Sequence, residues 1–118
     1  MSNPTILFFS DPPRIETFPR NQTVQNNGVA SFVCTAVGNP KPVIEWRKNG
    51  KRVSTQRYII QNMPSGSVLR IDPVKAGRDD ATYECVAENG FGEPVRAIAT
   101  LTVLTGETSK FNSQNLIE

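Results

Sequence analysis

Two cysteines, with a tryptophan and a tyrosine at fixed distances from them, constrain this chain more than any other feature. Cys34 lies in the run VASFVCTAV, where Ala30, Phe32, Cys34 and Ala36 occupy alternate positions. Cys85 lies in TYECVAEN, where Tyr83, Cys85 and Ala87 do the same. Alternation at period two puts such residues on one face of a strand, so both thiols are expected to point into a core. Trp46 follows Cys34 by twelve residues, and Tyr83 precedes Cys85 by two. A bridge joining two facing sheets needs both Cβ atoms aimed inward, a large ring packed over the sulfurs, and a hydroxyl tying down the approach to the second cysteine. The alternative is a pair of buried free thiols in an all-β protein.

The rest of the body repeats the period. VIEWR carries Ile44 and Trp46 inward, SVLRI carries Leu69 and Ile71, and PVRAIATLTVL carries Val95, Ala97, Ala99, Leu101 and Val103. The turn signals Asn27-Gly28, Asn49-Gly50 and Asn89-Gly90 separate the runs, so the strands are short and antiparallel. With the cysteine, tryptophan and tyrosine spacing, this predicts an immunoglobulin-like sandwich with one inter-sheet disulfide, Cys34 to Cys85. Only 74–80 reads as helical, and it is at most a turn or two. A bridge closing this loop stabilises by about 4 kcal/mol in the chain-entropy model and persists only in an oxidising compartment. An extracellular location follows as the expectation.

The chain's 118 residues fit one domain and leave no room for a second. The domain is expected over 12–104, with an N-terminal extension at 1–11 and a polar linker at 105–118. The apolar run at 6–9 is too short and uncharged for a secretory signal, and no stretch is long enough to cross a bilayer. The chain has no histidine, which excludes Ser-His-Asp and Cys-His catalysis. Asp79 and Asp80 are neighbours, but surface and arginine-pairing roles suit them better than a catalytic dyad. No enzyme activity, metal or cofactor is expected of this chain. Asn21-Gln22-Thr23 is a glycosylation sequon in an exposed loop, meaningful if the domain is secreted.

Cys34, Trp46, the segment DDATYEC at 79–85 and the hairpin AENGFG at 87–92 resemble the I-set immunoglobulin domains of adhesion molecules and receptors. From residue 12 to about 104, GVASFVCTAVGNPKPVIEWRKNGKRVSTQR, GSVLRIDPV and RDDATYECVAENGFGE resemble the first immunoglobulin domain of the LAR-type receptor protein tyrosine phosphatases, in an invertebrate member. The resemblance implies a domain that binds heparan and chondroitin sulfate chains through a lysine-rich loop. It also implies neighbouring domains that help bind synaptic adhesion proteins, and phosphatase domains far away inside the cell.

That loop falls on the stretch WRKNGKRVSTQR at 46–57, which holds five cations and no acid although the whole chain has a net charge of only +2. A two-residue turn at Asn49-Gly50 would set Lys48 opposite Lys51 and Arg47 opposite Arg52. Two opposed like-charge pairs cost some tenths of a kcal/mol each, which suggests an anion at the tip; a solvated hairpin tip is the plainer reading. By resemblance, Lys48, Lys51, Arg52 and Arg57 fall on basic positions of the family's loop, while Asn49 replaces what is often a lysine and Arg47 adds a cation. Lys75 and Arg78 match positions that extend the sulfate surface, with a solvated turn as their alternative. Arg57 has a structural alternative too, since it can pair with Asp79. Arg70 alternates outward between Leu69 and Ile71. Three rivals to a sulfated-glycan ligand are a protein-only adhesion module, an intracellular structural domain as in muscle filaments, and, more weakly, nucleic acid, for which no aromatic residues are interleaved with the loop. No membrane contact by this chain is expected.

Overall fold

The computed structural model describes residues 9–105. Positions 1–8 of the extension expected at 1–11, and positions 106–118 of the linker expected at 105–118, lie outside these residues. Within them the chain forms β1 (Asp11–Thr17), β2 (Gln22–Gln25), β3 (Ala30–Asn39), β4 (Val43–Lys48), β5 (Lys51–Arg52), β6 (Ile59–Met63), β7 (Gly66–Ile71), β8 (Ala81–Glu88) and β9 (Val95–Leu104). No helix occurs among the described residues. The stretch at 74–80 is a single turn, closed where Arg78 N and Asp79 N both donate to Lys75 O, at 3.2 and 2.9 Å.

The strands make two facing sheets, one in the order β1-β3-β7-β6 and the other β2-β9-β8-β4-β5. Every strand pair is antiparallel except β2 with β9, which run parallel from Gln22 beside Leu101 to Gln25 beside Leu104. Residues 18–21 carry the chain from the first sheet to the second. The residues picked out by the alternation face inward, and Ile15, Val53, Tyr58 and Val74 join them in the core. Phe32, Leu69 and Ile71 from one sheet meet Trp46, Tyr83 and Leu101 from the other, all fully buried, and each such side chain contributes about 2 kcal/mol by leaving water.

Cys34 on β3 and Cys85 on β8 are disulfide-bonded across the sandwich, with Cα atoms 6.5 Å apart. Trp46 stands beside Cys85 in the β4–β8 register, and Ser67 stands beside Cys34 in the β3–β7 register. Trp46 Nε1 donates to Ser67 Oγ at 2.9 Å. This bond is a second tie between the sheets alongside the covalent one, and it accounts for a fully buried serine in an otherwise apolar core. Gly66 is required where β7 passes β3, because a Cβ there would lie 2.2 Å from Cys34 O. Tyr83 Oη donates to Asp79 O at 2.7 Å and pins the turn before β8, as expected from its place two residues before Cys85.

Candidate functional site

The basic stretch forms the β4–β5 hairpin. Asn49 and Gly50 both adopt positive φ, 50° and 87°, the combination that a primed two-residue turn demands and that Asn and Gly best tolerate. Asn49 is bolted to the start of β8: its N donates to Thr82 O at 2.8 Å and its Oδ1 accepts from Thr82 N at 3.1 Å. The register is the expected one, Lys48 beside Lys51 and Arg47 beside Arg52.

The charge balance along the hairpin differs between the two pairs. Glu45, just before the tryptophan, accepts from Arg47 Nε at 3.3 Å and from Arg52 Nε at 3.2 Å. Burial would raise the Glu45 pKa, but the hydrogen bonds from Arg52 and Arg47 outweigh it and hold the carboxyl below its ordinary value. The arginine pair therefore has its own counterion, and the expected like-charge frustration is confined to Lys48 and Lys51.

Lys48 Nζ donates to Arg78 O at 2.6 Å and lies 5.6 Å from the centroid of the Tyr58 ring. The turn carrying Lys75 and Arg78 is thereby drawn against the hairpin. Lys51 has no side-chain partner among the described residues, and the Arg52 side chain is 77% exposed despite its ion pair. A shallow concavity of about 410 Å³ opens between Lys48, Lys51, Arg52, Ser54 and Tyr58.

The turn itself is tightly held. Ala76 N donates to Asn26 Oδ1 at 2.9 Å, and Lys75 Nζ donates to Asn27 Oδ1. Asp80 accepts from Gly77 N at 2.7 Å and from Val103 N at 3.0 Å. Burial would raise the Asp80 pKa, and these backbone donors outweigh it and lower it.

Arg57 faces inward. Its Nη2 donates to Asp79 Oδ2 and to Pro73 O, and Asp79, fully buried, also accepts from Tyr58 Oη at 3.0 Å and from Lys75 N at 2.6 Å. The pairing role considered for Arg57 is thus present. Its guanidinium stands 5.6 Å from the Tyr58 ring that Lys48 also approaches, so it borders the site without being free of it. Arg70 is exposed and paired with Asp72 at 3.0 Å. Glu45 and Tyr58 belong to the site although they flank the basic stretch at 46–57 on either side. Glu45 faces Arg47 at two residues' spacing, the same-face separation in a strand, and this signal was available.

Among the described residues, no three of the side chains His, Cys, Asp and Glu are grouped as a metal would need, and no helix is long and apolar enough to cross a membrane.

A two-sheet sandwich with this disulfide, tryptophan and tyrosine arrangement defines a class, and the chain belongs to it: it is a member of the immunoglobulin I-set domain family, whose model matches residues 13–103. Within that family it is similar to the N-terminal immunoglobulin domains of LAR-type receptor phosphatases. It is 58% identical over 109 residues to Tyrosine-protein phosphatase Lar of Drosophila melanogaster, covering 90% of this chain and 5% of that protein. It is 51% identical over 94 residues to Receptor-type tyrosine-protein phosphatase F of Danio rerio, covering 78% of this chain and 5% of the relative. The crystal structure of the N-terminal Ig1-2 module of the Drosophila receptor protein tyrosine phosphatase DLAR matches with a TM-score of 0.77 at 58% identity, over 81% of this chain and 50% of that one. The chain thus spans about 5% of the length of the curated relatives it matches.

Proposed function

We infer that this chain is an extracellular recognition domain of a cell-surface receptor and binds sulfated glycosaminoglycan, heparan or chondroitin sulfate, through the β4–β5 hairpin. The observation that carries this reading is the set of Lys48, Lys51 and Arg52 at one anchored tip, with Lys51 left without an internal partner and the Lys75–Arg78 turn drawn in beside it. Sulfates on a linear polymer can be met by such a ridge without a closed pocket. The likeness to the LAR-type receptors supports it. In a full-length receptor this domain would act in axon guidance and synapse organisation. Adjacent domains would bind adhesion proteins there, and a separate domain would carry the phosphatase.

The test is elution from immobilised heparin. The variant with Lys48→Ala, Lys51→Ala and Arg52→Ala, verified as folded by its intact disulfide and melting curve, is expected to elute at clearly lower salt than the parent. Each lost contact should lower the salt slope by somewhat under one. Elution of the folded variant at the parent's salt concentration would leave the hairpin a solvated tip.

A second reading, a protein-only adhesion module, draws on Val43 and Ile98, which are 73% and 62% exposed on the β2-β9-β8-β4-β5 sheet. Partner binding that is insensitive to salt would favour it.

A further inference from the structure

The geometry points to Asn21 as an N-glycosylation site whose first sugar packs on Phe18, so that the glycan completes the surface of the crossover between the two sheets. The inference rests on the extracellular reading above, because only a secreted chain meets the transferring enzyme.

The crossover at 18–21 has fixed ends. Thr17 N donates to Thr35 Oγ1 at 3.0 Å on one side, and Gln22 Nε2 donates to Ser31 O on the other. Between them Pro19 restricts the backbone. Phe18, three residues before Asn21, is left 57% exposed, and Val33 of the neighbouring strand is 38% exposed. Both line a concavity of about 500 Å³ together with Pro19 and Asn21, a volume within the range of small-ligand sites. The pinned ends of the turn hold the phenyl ring at the surface, where it keeps apolar area open to solvent beside Asn21.

Asn21 is oriented for the modification. A backbone N–H can only donate, so the 2.8 Å contact from Thr100 N fixes the Asn21 amide with Oδ1 toward β9. Nδ2, the atom that is glycosylated, is then the free end, without a partner among the described residues. Thr23, exposed two residues on, supplies the hydroxyl the sequon requires. In the transfer, a C–N bond forms between Asn21 Nδ2 and the anomeric carbon of an oligosaccharide held on a lipid pyrophosphate. The bond from that carbon to the pyrophosphate oxygen breaks, the lipid pyrophosphate leaves, and a base of the transferring enzyme takes the Nδ2 proton. No electrons are exchanged. The attached N-acetylglucosamine has a face of C–H groups, and the negative face of the Phe18 ring is the surface that such a face stacks on.

The experiment uses the full 118-residue chain made in two ways. One preparation is secreted from a eukaryotic host and trimmed by endoglycosidase to one N-acetylglucosamine; the other comes unglycosylated from the bacterial periplasm. Peptide mass mapping is expected to find the sugar on Asn21, and the sugar-bearing chain is expected to melt a few degrees higher than the bare one. The same comparison on Phe18→Ala, an exposed position, is expected to lose that gain. An unmodified Asn21 in the secreted, folded chain would overturn the site. An equal gain with and without Phe18 would overturn the packing. Heparin elution of the hairpin variants is independent of both results, so the two readings fail separately.

Discussion

Asp79 shows how much one residue can organise. It is fully buried and receives Arg57, Tyr58 and the Lys75 amide at once, so removing a donor leaves a carboxylate short of partners inside the protein. Arg57→Ala is expected to lower stability by about 2 to 3 kcal/mol in denaturant unfolding, the lower end of the range for a broken buried pair because the arginine side chain retains some exposure. Tyr58→Phe removes only a neutral hydroxyl from the same carboxylate and is expected to cost about 1 to 2 kcal/mol. The pairing of Arg57 with Asp79 was legible in the sequence, because an arginine and an aspartate at these places have a recurrent structural use. Tyr58's part was not, since its hydroxyl converges on Asp79 only after the chain has turned twice. Asp80 and Glu45 are held below their ordinary values, so the stability they add is present above the unfolded pKa near 4 and is lost as pH falls through their lowered folded values. Asp80→Asn should therefore lower the melting temperature at neutral pH and flatten its fall below about pH 4. An unchanged acid limb would show that the backbone bonds to Asp80 contribute nothing.

At the scale of elements, the hairpin separates what alternation can and cannot reveal. Its turn, register and basic content follow from Asn49-Gly50 and the flanking residues, and the structure has them as expected. Its electrostatics do not follow from that stretch alone, because the neutralising acid, Glu45, lies on the other side of Trp46. Glu45→Gln is expected to raise the salt needed to elute the chain from heparin, since Arg47 and Arg52 lose their internal counterion and become available to an outside one. It should also reduce stability, by about 1 kcal/mol or less for a half-buried pair at the surface. Elution at lower salt would mean that Glu45 positions the arginines for the ligand instead of competing with it. The strands of the core were readable because their inward residues recur at period two. The crossover at 18–21 has no period to read, so nothing in the sequence marks Phe18, one of the more exposed aromatic residues among those described. The stretch at 74–80, expected to hold at most a turn or two of helix, closes after one turn, with the Asp79 and Asp80 side chains accepting from local backbone amides.

For the whole molecule, the disulfide is the dominant constraint. It closes a loop with a sequence separation of 51 between Cys34 and Cys85. Reduction is expected to lower unfolding stability by about 4 kcal/mol in the chain-entropy model. The Trp46 to Ser67 bond should hold part of the sheet-to-sheet alignment in the reduced protein, so Ser67→Ala is expected to cost more after reduction than before it. Equal costs in the two redox states would make the bond a passenger of the bridge.

The parallel pairing of β2 with β9 bears on mechanics. β2 lies near the beginning of the chain and β9 near its end, and they run in the same direction. Tension pulling the two ends apart would therefore slide these strands along each other and load all their rungs together, whereas an antiparallel pair pulled at one end opens rung by rung like a zipper. A domain strung between a membrane and a fixed matrix would bear such tension as a clasp. Once that clasp slips, the disulfide keeps everything between Cys34 and Cys85 from paying out, and the module lengthens only by the strands outside it.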